Sequence, residues 1–141
     1  MSSAPEPNAN LNLATPYLAT VVTIDDHGLC RPAHEVAARL GTLHVITAWN
    51  PGDERPAREV NGRANEALRA DLARRGLAPM RALGSDPSSE HAEESWAVSN
   101  FSDCAARELG AKYRQVAVFR ITSATQTVLG CFAMWSVERG V

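Results

Sequence analysis

Gln115-Val116-Ala117-Val118-Phe119-Arg120-Ile121-Thr122, then Ser123-Ala124-Thr125-Gln126, then Thr127-Val128-Leu129-Gly130 and on to Val137, is the stretch that decides the architecture. Two runs rich in β-branched and aromatic residues flank a short polar segment, which is the pattern of a β-hairpin. Antiparallel pairing is therefore expected at the C-terminal end. Working back, residues 94–101 alternate weakly as a strand, and 79–83 form a short one ahead of the loop Gly84-Ser85-Asp86-Pro87-Ser88-Ser89. Ser102 is placed to cap a helix, Asp103 suits the positive helix end, and Gly110 reads as its stop after two turns. Residues 56–75 carry Val60, Ala64, Ala67, Leu68 and Leu72 at helical spacing and end at Gly76. Residues 43–49 read as a buried strand that ends at Asn50-Pro51-Gly52-Asp53, a strong turn signal. Pro32 opens and Gly41 closes a short helix with Val36, Ala37 and Leu40 on one face. Residues 17–24 form the first strand, closed by Asp25-Asp26-His27-Gly28.

Alternation of strand and helix in the first half favours βαβ units, while the C-terminal hairpin adds antiparallel pairing. The expectation is an α/β or α+β domain: a mixed β-sheet of about five to six strands covered by about three helices. Residues 1–14 hold two prolines and little periodicity and read as a disordered arm, with 15–141 as a single globular domain. The 141 residues suit one domain of ordinary size. With 14 basic and 16 acidic residues the net charge is −2, which argues against electrostatic capture of nucleic acid or of an anionic membrane. No apolar run approaches the roughly 18–20 residues that span a bilayer. The N-terminal stretch lacks the basic and apolar regions of a secretory signal. Cys30, Cys104 and Cys131 are too few and too scattered for a disulfide framework. A cytoplasmic location is expected.

No P-loop, GxGxxG, GxSxG, HExxH or CxxC motif is present. Cys30 lies near His27 and His34, but no second cluster completes a zinc ligand set, so no metal site is expected and the cofactor stays open. A turn histidine and buried cysteines are the simpler reading. Residues 53–81 carry seven arginines, of which Arg55, Arg58 and Arg63 stand near the start of the long helix, where a phosphate would suit them. A solvated helix face is the favoured explanation, and since 13 of the 14 basic residues are arginine, their number alone is weak evidence for phosphate recognition.

The uncommon feature is a set of neutral polar residues beside turns. Asn50 stands at the carboxyl end of a strand, where ligands often bind in open sheets, yet Asn before Pro also shapes turns. Asn61 and Asn65 lie four apart on one helix face and border either a pocket or the core. Glu94 enters a strand from a loop, and a buried acid there is costly unless it is paired or used. Glu94 and Ser95 face opposite sides of that strand, so simple pleating does not bring both into one pocket. Gln115 places an amide near a sheet end, and His91 lies close to Glu93 and Glu94.

Ile46-Thr47-Ala48-Trp49-Asn50-Pro51, then Asn61-x3-Asn65-x2-Leu68-x3-Leu72, Gly84, Glu94-Ser95 and Gln115-Val116-Ala117-Val118, taken in order, resemble the bacterial family catalogued as domain of unknown function 3293. The resemblance covers roughly residues 17–122. It implies no established activity, and it marks Thr47, Asn50, Asn61, Glu94, Ser95 and Gln115 as the family-pattern polar positions. The loop 86–90 is long before the Glu-Ser element.

Three readings follow. In the first, a binding or regulatory module uses Thr47, Asn50, Asn61, Asn65, Ser95 and Gln115 to recognise a small polar ligand or a protein. In the second, an enzyme acts on a nucleotide or other phosphorylated small molecule with Glu94 as general acid or base. In the third, these residues only pin loops to strands.

Overall fold

The computed structural model describes residues 17–52, 54–88 and 92–141; the expected N-terminal arm and His91 lie outside them. The central strand β3 (Leu43–Ile46) is buried at all four positions, and it lacks polar alternation because helices cover both of its faces. It lies between β5 (Ala92–Ser99) and β6 (Ala117–Ile121), antiparallel to both. Beyond β5 come β4 (Met80–Ser85), β1 (Val21–Asp26) and β2 (Leu29–Pro32). Beyond β6 come β7 (Thr125–Gly130) and β8 (Ser136–Gly140). Among the described residues the order is β2-β1-β4-β5-β3-β6-β7-β8, with every pairing antiparallel.

The fold is therefore α+β, with eight strands among the described residues rather than five to six and without parallel pairing of βαβ units there. Two of the strands were hidden for different reasons. Strand β2 is exposed throughout and ends in Pro32, so it shows no apolar alternation. It joins β1 through a two-residue turn in which His27 and Gly28 have φ of 54° and 89°, as a tight hairpin requires. Asp25 Oδ1 accepts from the Gly28 N–H at 2.7 Å. The expected strand 127–137 is instead broken into β7 and β8 by the loop 131–135. Arg107 Nη1 holds that loop by donating to the carbonyls of Gly130, Ala133 and Trp135 at 2.9, 3.3 and 3.2 Å. The apolar Phe132 and Met134, which fall within the expected strand, are exposed on this loop.

Helix α1 (Ala33–Leu40) buries Ala33, Val36 and Ala37 against Val22, Ile24, Leu43, Val45 and Ala97 on one face of the sheet. Helices α2 (Arg58–Arg74) and α3 (Asp103–Lys112) cover the other face, where Leu68, Leu72, Ala106 and Leu109 meet Ile46, Trp96, Val98 and Val118. Alternation along β5 explains the division: Ala97 faces α1, while Trp96 and Val98 face α2 and α3.

Ser102 caps α3 as expected, its Oγ accepting from the Ala105 N–H at 3.0 Å. Gly110, however, does not end the helix, which continues to Lys112. A Cβ at Gly110 would lie 2.5 Å from Cys131 Sγ and 2.7 Å from a Val118 methyl, so this glycine lets α3 settle on the sheet. The cysteine expectation also changes. Cys30 and Cys104 are exposed, and only Cys131 is partly buried; burial pushes its thiol up to about 12 despite nearby Arg107. No helix among the described residues is long and apolar enough to cross a membrane.

Candidate functional site

Past Ile46 the chain leaves β3 and forms a strap, residues 47–50, whose backbone groups have no ladder partner. Buried side chains replace the ladder. Asn65 Oδ1 accepts from the Ala48 N–H at 3.2 Å, Thr47 Oγ1 from the Trp49 N–H at 3.0 Å, and Asn61 Oδ1 from the Asn50 N–H at 3.0 Å. Gln115 Nε2 donates to the carbonyls of Trp49 at 3.1 Å and Tyr113 at 3.2 Å. Thr47 Oγ1 also donates to the Glu94 carbonyl at 2.7 Å, tying the strap to β5. An unpaired buried backbone group costs about 1–3 kcal/mol, which accounts for amides placed so deeply in an apolar layer.

Asn50 closes the strap with φ of 48°, a left-handed conformation that asparagine tolerates better than most residues. Its Oδ1 accepts from Asn61 Nδ2 at 2.9 Å, and its Nδ2 donates to Glu93 Oε1 at 3.1 Å. Asn61, Asn50 and Glu93 thus form a chain that aims a carboxylate at the end of the sheet. A cavity of about 400 Å³ opens there on the face carrying α1. Thr47, Asn50, Glu93, Ser95 and Gln115 give it a polar wall, Arg55 a cation, and Tyr17, Val45 and Phe119 an apolar one. Tyr17 and Phe119 meet edge-on with ring centroids 6.3 Å apart.

Four of the expected ligand-binding residues, Thr47, Asn50, Ser95 and Gln115, therefore share one cavity. Asn61 stands directly behind Asn50. Asn65 instead lines a groove on the opposite face, beside Glu94. Glu94 is exposed there and is not brought together with Asn50 or Arg55. The carboxylate that reaches Asn50 is its neighbour Glu93. The strand alternation that separates Glu94 from Ser95 also puts Glu93 on the side of Ser95, though it does not tell which of the two faces carries Asn50. Arg58 and Arg63 are exposed on α2 and line neither cavity.

A family model described as protein of unknown function (DUF3293) matches residues 46–118, just over half of the chain. The chain belongs to this family. The DUF3293 match begins at the last residue of β3 and ends within β6, so it encloses the strap, α2, Glu93 and Gln115. It is narrower than the span 17–122 suggested by the ordered motifs. No curated protein and no solved structure matches the chain.

Among the described residues, ion clusters also lie away from the cavity, and two of them cross between elements at the core, neither found from the sequence. His44, only 2% exposed, bonds Asp103 Oδ1 through Nε2 at 2.7 Å, and Arg120 bonds the other oxygen of Asp103. Burial raises the Asp103 pKa, but the His44 hydrogen bond and the Arg120 charge outweigh it and bring the carboxyl below its ordinary value. The signal for this cluster was one polar residue in an otherwise apolar strand. The second cluster joins α2 to α3: Asp71 accepts from Lys112 Nζ at 2.8 Å, Tyr113 Oη at 2.5 Å, and Arg74. Those donors, Lys112 foremost, hold the Asp71 carboxyl well below the usual range. Burial, reinforced by Asp71, pushes the Tyr113 phenol up to about 12. No three of the described His, Cys, Asp and Glu residues converge to hold a metal ion. The cavity offers amides, hydroxyls, the carboxylates of Glu93 and Asp86, and a guanidinium.

Proposed function

We propose that this protein is a binding or regulatory module that takes a small polar ligand into the cavity lined by Thr47, Asn50, Ser95 and Gln115, with Glu93 as the principal acceptor. The observation that carries the reading is the Asn61–Asn50–Glu93 chain. It holds a carboxylate at a concave site through an asparagine fixed in a left-handed backbone conformation. Such orientation is prepared before any ligand arrives, so little side-chain entropy remains to be lost on binding. Arg55 complements Glu93 and favours a ligand with both a hydrogen-bond donor and an anionic group. Asn61 and Asn65 act behind this wall by holding the strap.

A cytoplasmic setting suits the exposed free thiols of Cys30 and Cys104. Binding to a protein is the second reading, favoured by the Arg107-held loop that presents Phe132 and Met134.

The test is a thermal-shift screen against amines, polyols, sugar phosphates and nucleotides, run on wild type and Glu93→Gln. A ligand bound only by the folded state raises the midpoint. The expected result is a ligand-specific rise that Glu93→Gln removes. A panel without any rise, or a rise that Glu93→Gln leaves intact, contradicts the proposal.

A further inference from the structure

On the opposite face of the sheet, a groove of about 460 Å³ runs between α2 and the strands β1, β4 and β5. Its helix wall is Gly62, Asn65 and Glu66, spaced i, i+3 and i+4 on one face of α2. Gly62 sits well inside the helix, where glycine is the poorest residue short of proline. Packing does not require it, since a Cβ there would meet nothing within 4 Å. Its effect is to keep the groove open.

Three groups at the groove have unmet bonding capacity. Asn65 is 5% exposed, and its amide orientation is set because Oδ1 accepts from Ala48 N–H. Its Nδ2 donor therefore has no acceptor among the described residues, and Asn65 lines the groove. Arg81 lies over the Trp96 ring, 5.6 Å from the centroid, with no carboxylate at ion-pair distance among the described residues, although after the Arg69 hydrogen bond its charge helps to lower the Glu66 carboxyl pKa. Glu94 is exposed and likewise unpaired. Register makes Arg81 the cross-strand partner of Trp96, and Leu83 that of Glu94, so Arg81 and Glu94 are diagonal neighbours on one face. Diagonal neighbours on adjacent strands stand about 7–8 Å apart, within reach of each other's side chains. Stacking on Trp96 accounts for the guanidinium staying apart from Glu94. The result is a positive and a negative group, neither in a direct ion pair among the described residues, with half-exposed Leu83 between them and an accessible amide donor on the wall above.

We propose that this groove is a second binding site, for a small zwitterion of the amino-acid or short-peptide class. Arg81 and Asn65 Nδ2 receive the carboxylate, Glu94 receives the ammonium, and the side chain lies on Leu83 and Trp96. Asp25 and Glu66 stand on the Arg81 side of the groove, where the Gly28 N–H partly engages Asp25 and Arg69 engages Glu66. This site is separate from the Glu93 cavity and does not depend on it.

The experiment titrates the full chain with free amino acids and dipeptides at millimolar concentration, followed by calorimetry and thermal shift. Amino-acid amides, which lack the carboxylate, and N-acetyl amino acids, which lack the ammonium, serve as one-ended controls. Zwitterions should bind, and removing either charge should weaken binding by about tenfold or more. Arg81→Gln and Glu94→Gln should each do the same. Gly62→Leu should abolish binding while raising the midpoint of the ligand-free protein, so that loss of binding there is not loss of fold. The proposal is overturned if no amino acid or dipeptide binds, if one-ended controls bind as well as zwitterions, or if binding survives in Gly62→Leu.

Discussion

The two concavities lie on opposite faces of one sheet and share α2 as a support, yet their polar groups are used differently. In the cavity at the end of β3, the strap 47–50, Asn61 and Gln115 have bound one another, and only the wall they form faces outward. In the groove, Arg81, Glu94 and the Asn65 Nδ2 have no such partners. A polar residue next to a cavity can thus have either of two roles. Those that satisfy backbone groups hold the site in shape, and those left unsatisfied are available to a ligand. The two kinds should separate by their effect on stability.

Asn61→Ala should produce the largest loss. It removes two hydrogen bonds and leaves the Asn50 N–H without its acceptor, at roughly 2–3 kcal/mol or about 5–10 °C in midpoint. A loss below about half a kcal/mol in denaturant unfolding would mean that the strap does not need it.

Next comes Asp71→Asn, which weakens the clamp between α2 and α3 and so loosens the support common to both sites. A cost of roughly 1–2 kcal/mol is expected near neutral pH, because the Lys112 and Arg74 ends of the clamp are exposed. The folded-state pKa of Asp71 is depressed, so its contribution is complete above the unfolded value of about 3.9 and fades as pH falls through the folded value. Unfolding followed from neutral pH downward should therefore show wild type and Asp71→Asn converging in acid. A gap that widens on acidification has the wrong sign.

Gly62→Ala moves stability the other way. An alanine there meets open space and regains helix propensity, for a gain of about 0.5–1 kcal/mol. A loss would show that Gly62 serves the fold rather than the groove. Smallest of all is Glu94→Gln, expected to stay within about 0.5 kcal/mol of wild type, since the side chain is exposed and unpaired. A large drop in its midpoint would erase the distinction between the two faces.

Local chemistry made much of this readable in advance. Pro32 and Gly41 bracket α1, Ser102 caps α3, and the apolar spacing of Leu68 and Leu72 marks α2. Thr47, Asn61 and Gln115 stood out as polar side chains beside turns or the core, and each of them bonds a backbone group of the strap. Signals that depend on distant partners were not readable. The apolar content of 131–135 looks like a strand until Arg107, more than twenty residues earlier, is seen to hold it as a loop. Strand β2 has no buried position to betray it. Glu93 and Glu94 differ by one residue, and one residue along a strand exchanges the two faces, so choosing between them required knowing which face carries Asn50. Arg81 over Trp96 is a cross-strand contact that no local pattern announces.

The central claim is that the Asn50–Glu93 wall receives a small polar ligand. Backbone amide NMR, with a ligand from the screen titrated into wild type and into Glu93→Gln, tests it most directly. The account predicts shift changes concentrated at Thr47, Asn50, Ser95 and Gln115 in wild type and absent in Glu93→Gln. Shifts confined to Arg81, Glu94 and Gly62, or unchanged by Glu93→Gln, would contradict it.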